Sequence, residues 1–324
     1  MRPVGCIVAS MGQWRPSLKK LLFVVSLPND NRYQHEQAAS AKETASRLGA
    51  DVQVLHANND AVTQSQQVLD VIQSRSTPRP DAILFEPLTT TGLVRAAEAA
   101  VAAGIGWVVL NSDVDYLDRL RSTTQVPVFS VTRDHTEIGR IQGRQFAALL
   151  PEGGTVLYVQ GPANNSAALQ RTIGMESTKP ANIQIKALRS NWEETSAHQA
   201  VSSWLRLSTN RATSIGVVGC QYDGIAKGAR RAFEDLPDQA ERERWLKLPF
   251  TGVDGLPTEG KAWVDQGILA ATVVSLTTTQ VALQMLVRAM SQGVQLPLRT
   301  LIDAASYPLL ENLSASKIPK SPVK

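Results

Sequence analysis

Cysteine is almost missing from this chain: Cys6 and Cys220 are the two among 324 residues. Thiols so far apart indicate neither a disulfide framework nor a zinc site, and Cys220, inside the apolar run "SIGVVGC", reads as a small buried residue. Long apolar runs are missing too. No window approaches the roughly 18 consecutive apolar residues that a membrane-crossing helix needs. The start, "MRPVGCIVASMGQWRPSLKK", holds only a short, Gly-containing apolar run from Val4 to Met11, too little for the core of a signal peptide. Export is therefore not readable from this start: either the protein stays in the cytoplasm, or a leader lies upstream or was replaced. An excess of one charge sign is lacking as well. The formal charge is +4, with Lys and Arg scattered rather than gathered beside aromatics, so no nucleic-acid partner is expected.

Catalytic signatures are equally sparse. The first strand ends "VVSLPND" rather than in a G-x-G-x-x-G turn, and neither a G-x-x-x-x-G-K-[ST] phosphate loop nor a G-x-S-x-G elbow occurs. His35, His56, His135 and His198 show no metal-ligand spacing. The expectation is a chain without catalytic residues, metal or cofactor.

What is present is an ordinary globular composition, 43% hydrophobic and 19% charged, on a length that suits two cores better than one. Short β-branched runs recur: "KLLFVVS", "DVQVLH", "DAILFEP", "GWVVLN", "VPVFSV", "GTVLYVQG", "NIQIKAL", "SIGVVGC", "FTGVDG" and "AATVVS". Between them apolar residues fall three or four apart, as in Val94, Ala97 and Val101. Strands alternating with helices predict an α/β fold with parallel sheets covered on both faces. Asp134 with Glu137 reads as a capping box, and Asp223, before "GIAKGARRAF", as a helix cap. In "FTGVDGLPTEGKAWVDQGILAATVVS" a carboxylate, Asp254, ends a strand just before a helix, where open α/β sheets hold their ligands.

Six motifs in fixed order then carry a resemblance: "VVSLPNDNRY", "DHTEIGRIQG", "GPANNSAALQRTIGM", "CQYDGIAKGA", "GVDG" and "GILAATVV". Over residues 19 to about 312 the chain resembles the type I sugar-binding proteins of bacterial ABC transporters, the ribose and galactose group. Their fold is shared with the effector domains of lactose-repressor-type regulators. The resemblance implies two Rossmann-like lobes joined by a three-segment hinge, with crossings near Thr132, Ser275 and Leu301. The first lobe would hold 19–132 and 276–300, the second 133–275 and 301–312. Residues 1–18 stay uncertain, and 313–324, rich in Pro, Ser and Lys, read as a disordered tail.

The resemblance also implies site residues. Asp254 matches a carboxylate that accepts from sugar hydroxyls, and Arg171 a guanidinium that donates to sugar oxygens. Tyr33 and Trp192 lie where the family places rings against the apolar faces of a sugar. The plainer readings stand beside these: Arg171 as a surface cation on its helix, Tyr33 as the first apolar residue of a helix. Trp192, in the polar stretch "RSNWEETS", fits a cleft wall better than a core. Three positions depart from the family: Asn111-Ser112, with Asp113 next, replace an Asp-Arg pair, Tyr222 replaces an Asn, and Ser275 a Gln. Asp30 and Arg32, beside Tyr33, complete the candidates, and two arginines there admit an acidic ligand unless Asp30 and Asp254 neutralise them.

The function implied is capture of a sugar or sugar-like molecule by hinge closure, by a periplasmic monomer that hands it to an ABC permease. The alternative is a ligand-sensing domain or the soluble partner of a signalling receptor. About 18 residues before the first strand cannot hold a helix-turn-helix reader, which argues against a full repressor. An enzyme on the same scaffold is the third reading, with no acid–base pair to support it.

Overall fold

The computed structural model describes residues 20–88, 93–112, 114–207 and 213–313. Strands and helices alternate for most of that length. The first set is β1 (Leu22–Leu27), α1 (Arg32–Arg47), β2 (Asp51–His56), α2 (Ala61–Gln73), β3 (Ala82–Phe85), α3 (Val94–Ala102), β4 (Gly106–Leu110), α4 (Leu117–Ser122) and β5 (Val128–Arg133). The second is α5 (His135–Leu149), β6 (Gly154–Gln160), α6 (Ser166–Thr178), β7 (Ile183–Arg189), α7 (Glu194–Leu205), β8 (Val217–Cys220), α8 (Asp223–Glu234), α9 (Gln239–Leu246), β9 (Phe250–Thr251), α10 (Gly260–Asp265) and β10 (Thr272–Ser275). The chain then returns through α11 (Thr278–Gln292), β11 (Arg299–Ile302) and β12 (Ala304–Tyr307).

Six strands form one sheet in the order β11-β5-β4-β3-β1-β2, and four form another, β7-β6-β8-β9. Both are parallel throughout. Strand β10 joins the second sheet by parallel bridges, Thr251 to Ala271 and Asp254 to Val274, and pairs antiparallel with β12. The chain thus passes between sheets three times: after β5, after β10, and between β11 and β12.

Period-two side chains explain why each sheet is covered on both faces. In β1, Phe23, Val25 and Leu27 enter a core with α1 and α11, whereas Val24 enters another with α2 and α3. In β6, Leu157 and Val159 face α7 and α8, and Val156 and Tyr158 face α5. The strands are apolar runs because both of their faces are buried. The final helix belongs to the first sheet: Thr279 Oγ1 donates to the carbonyl of Gln37 at 2.9 Å, tying α11 to α1.

Asp134 caps α5 as the sequence predicts, accepting from the Glu137 amide at 2.8 Å. Glu137 does not reciprocate with its side chain, which reaches Arg140 and Arg144 instead. Asp223 departs from its reading. It sits inside α8 rather than capping it, buried, and accepts from the Gly255 amide and from Thr272 Oγ1, both at 2.7 Å. Burial holds its carboxyl well above the ordinary carboxylate range. It clamps the loop that carries Asp254 to β10. Cys220 is buried, as expected.

Candidate functional site

A cavity of about 280 Å³ opens between the two sheets, at the C-terminal ends of their strands. That is just under the ~300–1,000 Å³ usual for small-molecule pockets, and the position is the one open parallel sheets reserve for ligands. From the first sheet come Glu86 after β3, Asn111 after β4 and Arg133 at the end of β5, with Tyr33 and Gln34 from the first turn of α1. From the second come Arg171 on α6, Trp192 after β7, Tyr222 after β8 and Asp254 after β9. His135, the first residue of α5, lies at the crossing between them.

Local sequence positions these groups. Helices α5 and α6 touch backbone to backbone because Gly139 and Gly174 lack side chains: a Cβ at Gly139 would meet the Arg171 carbonyl, and one at Gly174 the Thr136 carbonyl. Arg171 is thereby held over the cleft. Gly161 plays the same part for Trp192, whose indole occupies the space a Cβ would need. Asn111 and Asp254 both take positive φ, 53° and 105°. Asn tolerates the left-handed region, whereas φ 105° takes Asp254 beyond it into sparsely populated backbone, a cost on the order of 1–3 kcal/mol common at binding sites.

The charges are buried and unevenly partnered. Arg133 Nη1 donates to Asp254 Oδ1 at 2.5 Å, and each of these side chains is 6% exposed. Burial pulls the Arg133 guanidinium down, but the Asp254 charge and hydrogen bond outweigh it and hold it above its ordinary value. Arg171 reaches the same oxygen less closely, at 3.7 Å, and donates to the carbonyl of Gln221. Burial, then repulsion from Arg133, lowers it to about 10. Glu86 accepts from the side-chain amides of Gln34 at 3.1 Å and Asn111 at 3.3 Å, and burial raises its carboxyl above the usual range. His135 is buried with both ring nitrogens unpartnered among the described residues. Burial and the two guanidinia hold its pKa well below the ordinary value, so the ring is neutral.

The aromatic rings do not stand free. The Arg133 guanidinium lies over the Tyr33 ring, 4.7 Å from its centroid, and that of Arg171 over Trp192 at 5.5 Å. Each stack is a cation–π contact that fixes both partners.

Of the residues singled out in the sequence, Tyr33, Asn111, Arg171, Trp192, Tyr222 and Asp254 line this cavity. Arg171 and Asp254 are buried rather than on the surface. Asp30 is exposed outside the cavity, and Ser275 ends β10 opposite Ala304. Arg32 sits on the rim, where it pairs with Glu259 of the loop before α10. Asp113 lies outside the described residues. Sequence reasoning missed Glu86, Arg133 and His135. Their signal was available, because Glu86 and Arg133 stand at the C-terminal ends of strands just as Asp254 does, and His135 opens a capped helix there.

The profile of the periplasmic binding protein domain family matches residues 22–293. The D-allose-binding periplasmic protein of Escherichia coli (strain K12) is 26% identical over 275 residues, 83% of this chain and 84% of its own length. Among solved structures, a periplasmic solute-binding protein of an ABC transporter from Actinobacillus succinogenes 130z, with bound D-allose, superposes with a TM-score of 0.75 at 21% identity. That match covers 92% of this chain and 99% of the other. The fructose-binding periplasmic domain of a hybrid two-component system gives a TM-score of 0.69 at 22% identity, covering 88% and 90%. The two-lobed fold is that of type I sugar-binding periplasmic proteins. With most of its length inside the matched region and its cleft at the strand ends of two parallel sheets, this chain belongs to the periplasmic binding protein domain family.

Proposed function

We propose that this chain is a periplasmic solute-binding protein that captures a sugar or sugar-like molecule in the interlobe cleft and presents the closed form to an ABC permease. The observation that carries this reading is the cavity itself, where a buried carboxylate, two guanidinia, an amide and flanking aromatic rings converge from both sheets. Charge-assisted donors and acceptors of this kind suit the alternating hydroxyls of a polyol, and the rings suit its apolar faces. The hinge, in this reading, lies at the crossings near Thr132, Ser275 and Leu301, so that closure is a rigid-body rotation that buries the ligand without altering it. In this reading Tyr33, Asn111, Arg171, Trp192, Tyr222 and Asp254 contact the ligand, Asp30, Arg32 and Ser275 bound the cleft, and the protein acts as a monomer without catalysis.

The test is isothermal calorimetry against pentoses, hexoses, polyols and sugar acids, with small-angle scattering to follow closure. A micromolar or tighter ligand that shrinks the radius of gyration supports the reading. Silence across the panel sinks it. A second reading, a ligand-sensing domain of a signalling system, draws support from the likeness to the hybrid two-component domain. Loss of ligand uptake in a deletion strain favours transport, and intact uptake with lost transcriptional response favours sensing.

A further inference from the structure

The end of β5, the start of α5 and the middle of α6 bring three nitrogenous side chains to one corner of the cavity: Arg133, His135 and Arg171, exposed by 6%, 5% and 3%. Their partners do not use them up. Nε of Arg133, Nε of Arg171 and both ring nitrogens of His135 have no hydrogen-bond partner among the described residues. Two guanidinia share a single carboxylate oxygen, Oδ1 of Asp254, at 2.5 Å from Arg133 and 3.7 Å from Arg171. Asp254 therefore balances Arg133 and leaves Arg171 with a backbone carbonyl and the face of an indole.

Among the described residues no other carboxylate bonds Arg171. Glu86 is engaged by Gln34 and Asn111 and bonds neither guanidinium, and its charge acts on Arg133 rather than on Arg171. Asp223 is buried nearby but accepts from Gly255 and Thr272. Asp113 is the one acidic residue outside the described stretches. A buried guanidinium with no carboxylate of its own is costly, and a ligand that supplies one is selected by it. The N-terminus of α6, through Ser166 and Ala167, opens onto the same cavity and adds positive partial charge.

We propose, on the reading of this chain as a solute-binding protein, that its ligand is a polyhydroxylated carboxylate, a sugar acid. Its carboxylate sits against Arg171 and His135, and its hydroxyls face Glu86, Asn111 and Asp254. One guanidinium without its own carboxylate matches a monoanion, whereas a phosphate ester at about −1.5 to −2 would overcharge the corner.

The experiment is calorimetry on the full chain near neutral pH with D-gluconate, D-galactonate, D-ribonate and D-glucuronate. The comparators are D-glucose, D-galactose, D-ribose and D-ribose 5-phosphate. At least one acid is expected to bind about 100-fold or more tightly than its neutral parent, because a neutral ligand leaves the buried Arg171 charge without a counter-charge. In Arg171→Gln that advantage shrinks at least about tenfold. Should that variant fail to fold, Arg171→Lys keeps the charge and is expected to keep the preference for the acid. A neutral sugar binding as well as its acid, or the phosphate binding best, overturns the carboxylate assignment and leaves solute binding standing. No binding by any compound overturns both.

Discussion

Among the described residues two ion pairs, Arg133–Asp254 and Arg32–Glu259, link the first sheet and its helix α1 to the strand-end loops of the second, and they differ in almost everything except their chemistry. Arg133 and Asp254 meet in the interior with side chains 6% exposed, whereas Arg32, 60% exposed, meets Glu259 at the rim. The interior pair sits among groups that need it: Asp254 also faces Arg171, and Arg133 also stacks on Tyr33. The rim pair is half in water: Arg32 is exposed whereas Glu259 is buried, so only its arginine end is screened as in a surface pair. Burial, not the presence of an ion pair, decides which bridge the fold depends on.

The largest effect is expected at Asp254. Asp254→Ala strands two buried guanidinia and should destabilise the protein by about 3–5 kcal/mol in urea unfolding, with ligand binding lost. The double change Asp254→Ala with Arg133→Met should cost less than the sum of its parts, because one cation goes with the anion. Additive losses would mean that the two do not interact.

Next comes His135, which faces the two guanidinia of the interior. Its folded pKa lies well below the ordinary value of about 6.5, so as pH falls through 6.5 the unfolded chain takes up a proton that the folded chain refuses. Stability is then lost on acidification, by about 1 kcal/mol between pH 7 and 5.5 from this group alone. His135→Asn should flatten the pH dependence of unfolding by that amount. An unchanged slope would show that the ring is protonated or solvated in the fold.

The smallest effect belongs to the rim. Arg32→Ala should cost on the order of 1 kcal/mol, the low end of what a buried polar group loses when left unsatisfied, because it strands the buried carboxylate of Glu259 while the exposed arginine end is screened by salt. A loss near that of Asp254→Ala would erase the contrast between the two bridges.

Much of this arrangement was readable from residue patterns. The apolar runs "DAILFEP" and "GWVVLN" mark β3 and β4 because strands buried on both faces have no polar face to hide them. The capping aspartate of α5 and the strand-end position of Asp254 were equally plain. Arg133 was not, because in "VFSVTRDH" it reads as the polar edge of a strand, and only its partner 121 residues away makes it part of the site. Glu86 was hidden for the same reason: its charge matters through Gln34 and Asn111, which converge by tertiary packing rather than by spacing. Asp223 misled in the opposite direction. The residue type suits a helix cap, but the loop of Gly255 needed an acceptor, and burial next to β10 gave it that task. Strands β11 and β12 are four residues each, pair with different sheets, and carry no periodicity long enough to read.

Trp192 has one more consequence. Trp107, Trp204 and Trp245 are shut inside the cores and the partly buried Trp263 packs against one of those cores away from the cavity, whereas the Trp192 indole is half-buried on the cleft wall with the Arg171 guanidinium across its face. A molecule that seats against Arg171 changes the polarity and the quenching felt by that ring, the one described tryptophan that lines the cavity. The protein therefore carries its own optical gauge of occupancy: emission should titrate with ligand in the native chain and stay flat in Trp192→Phe.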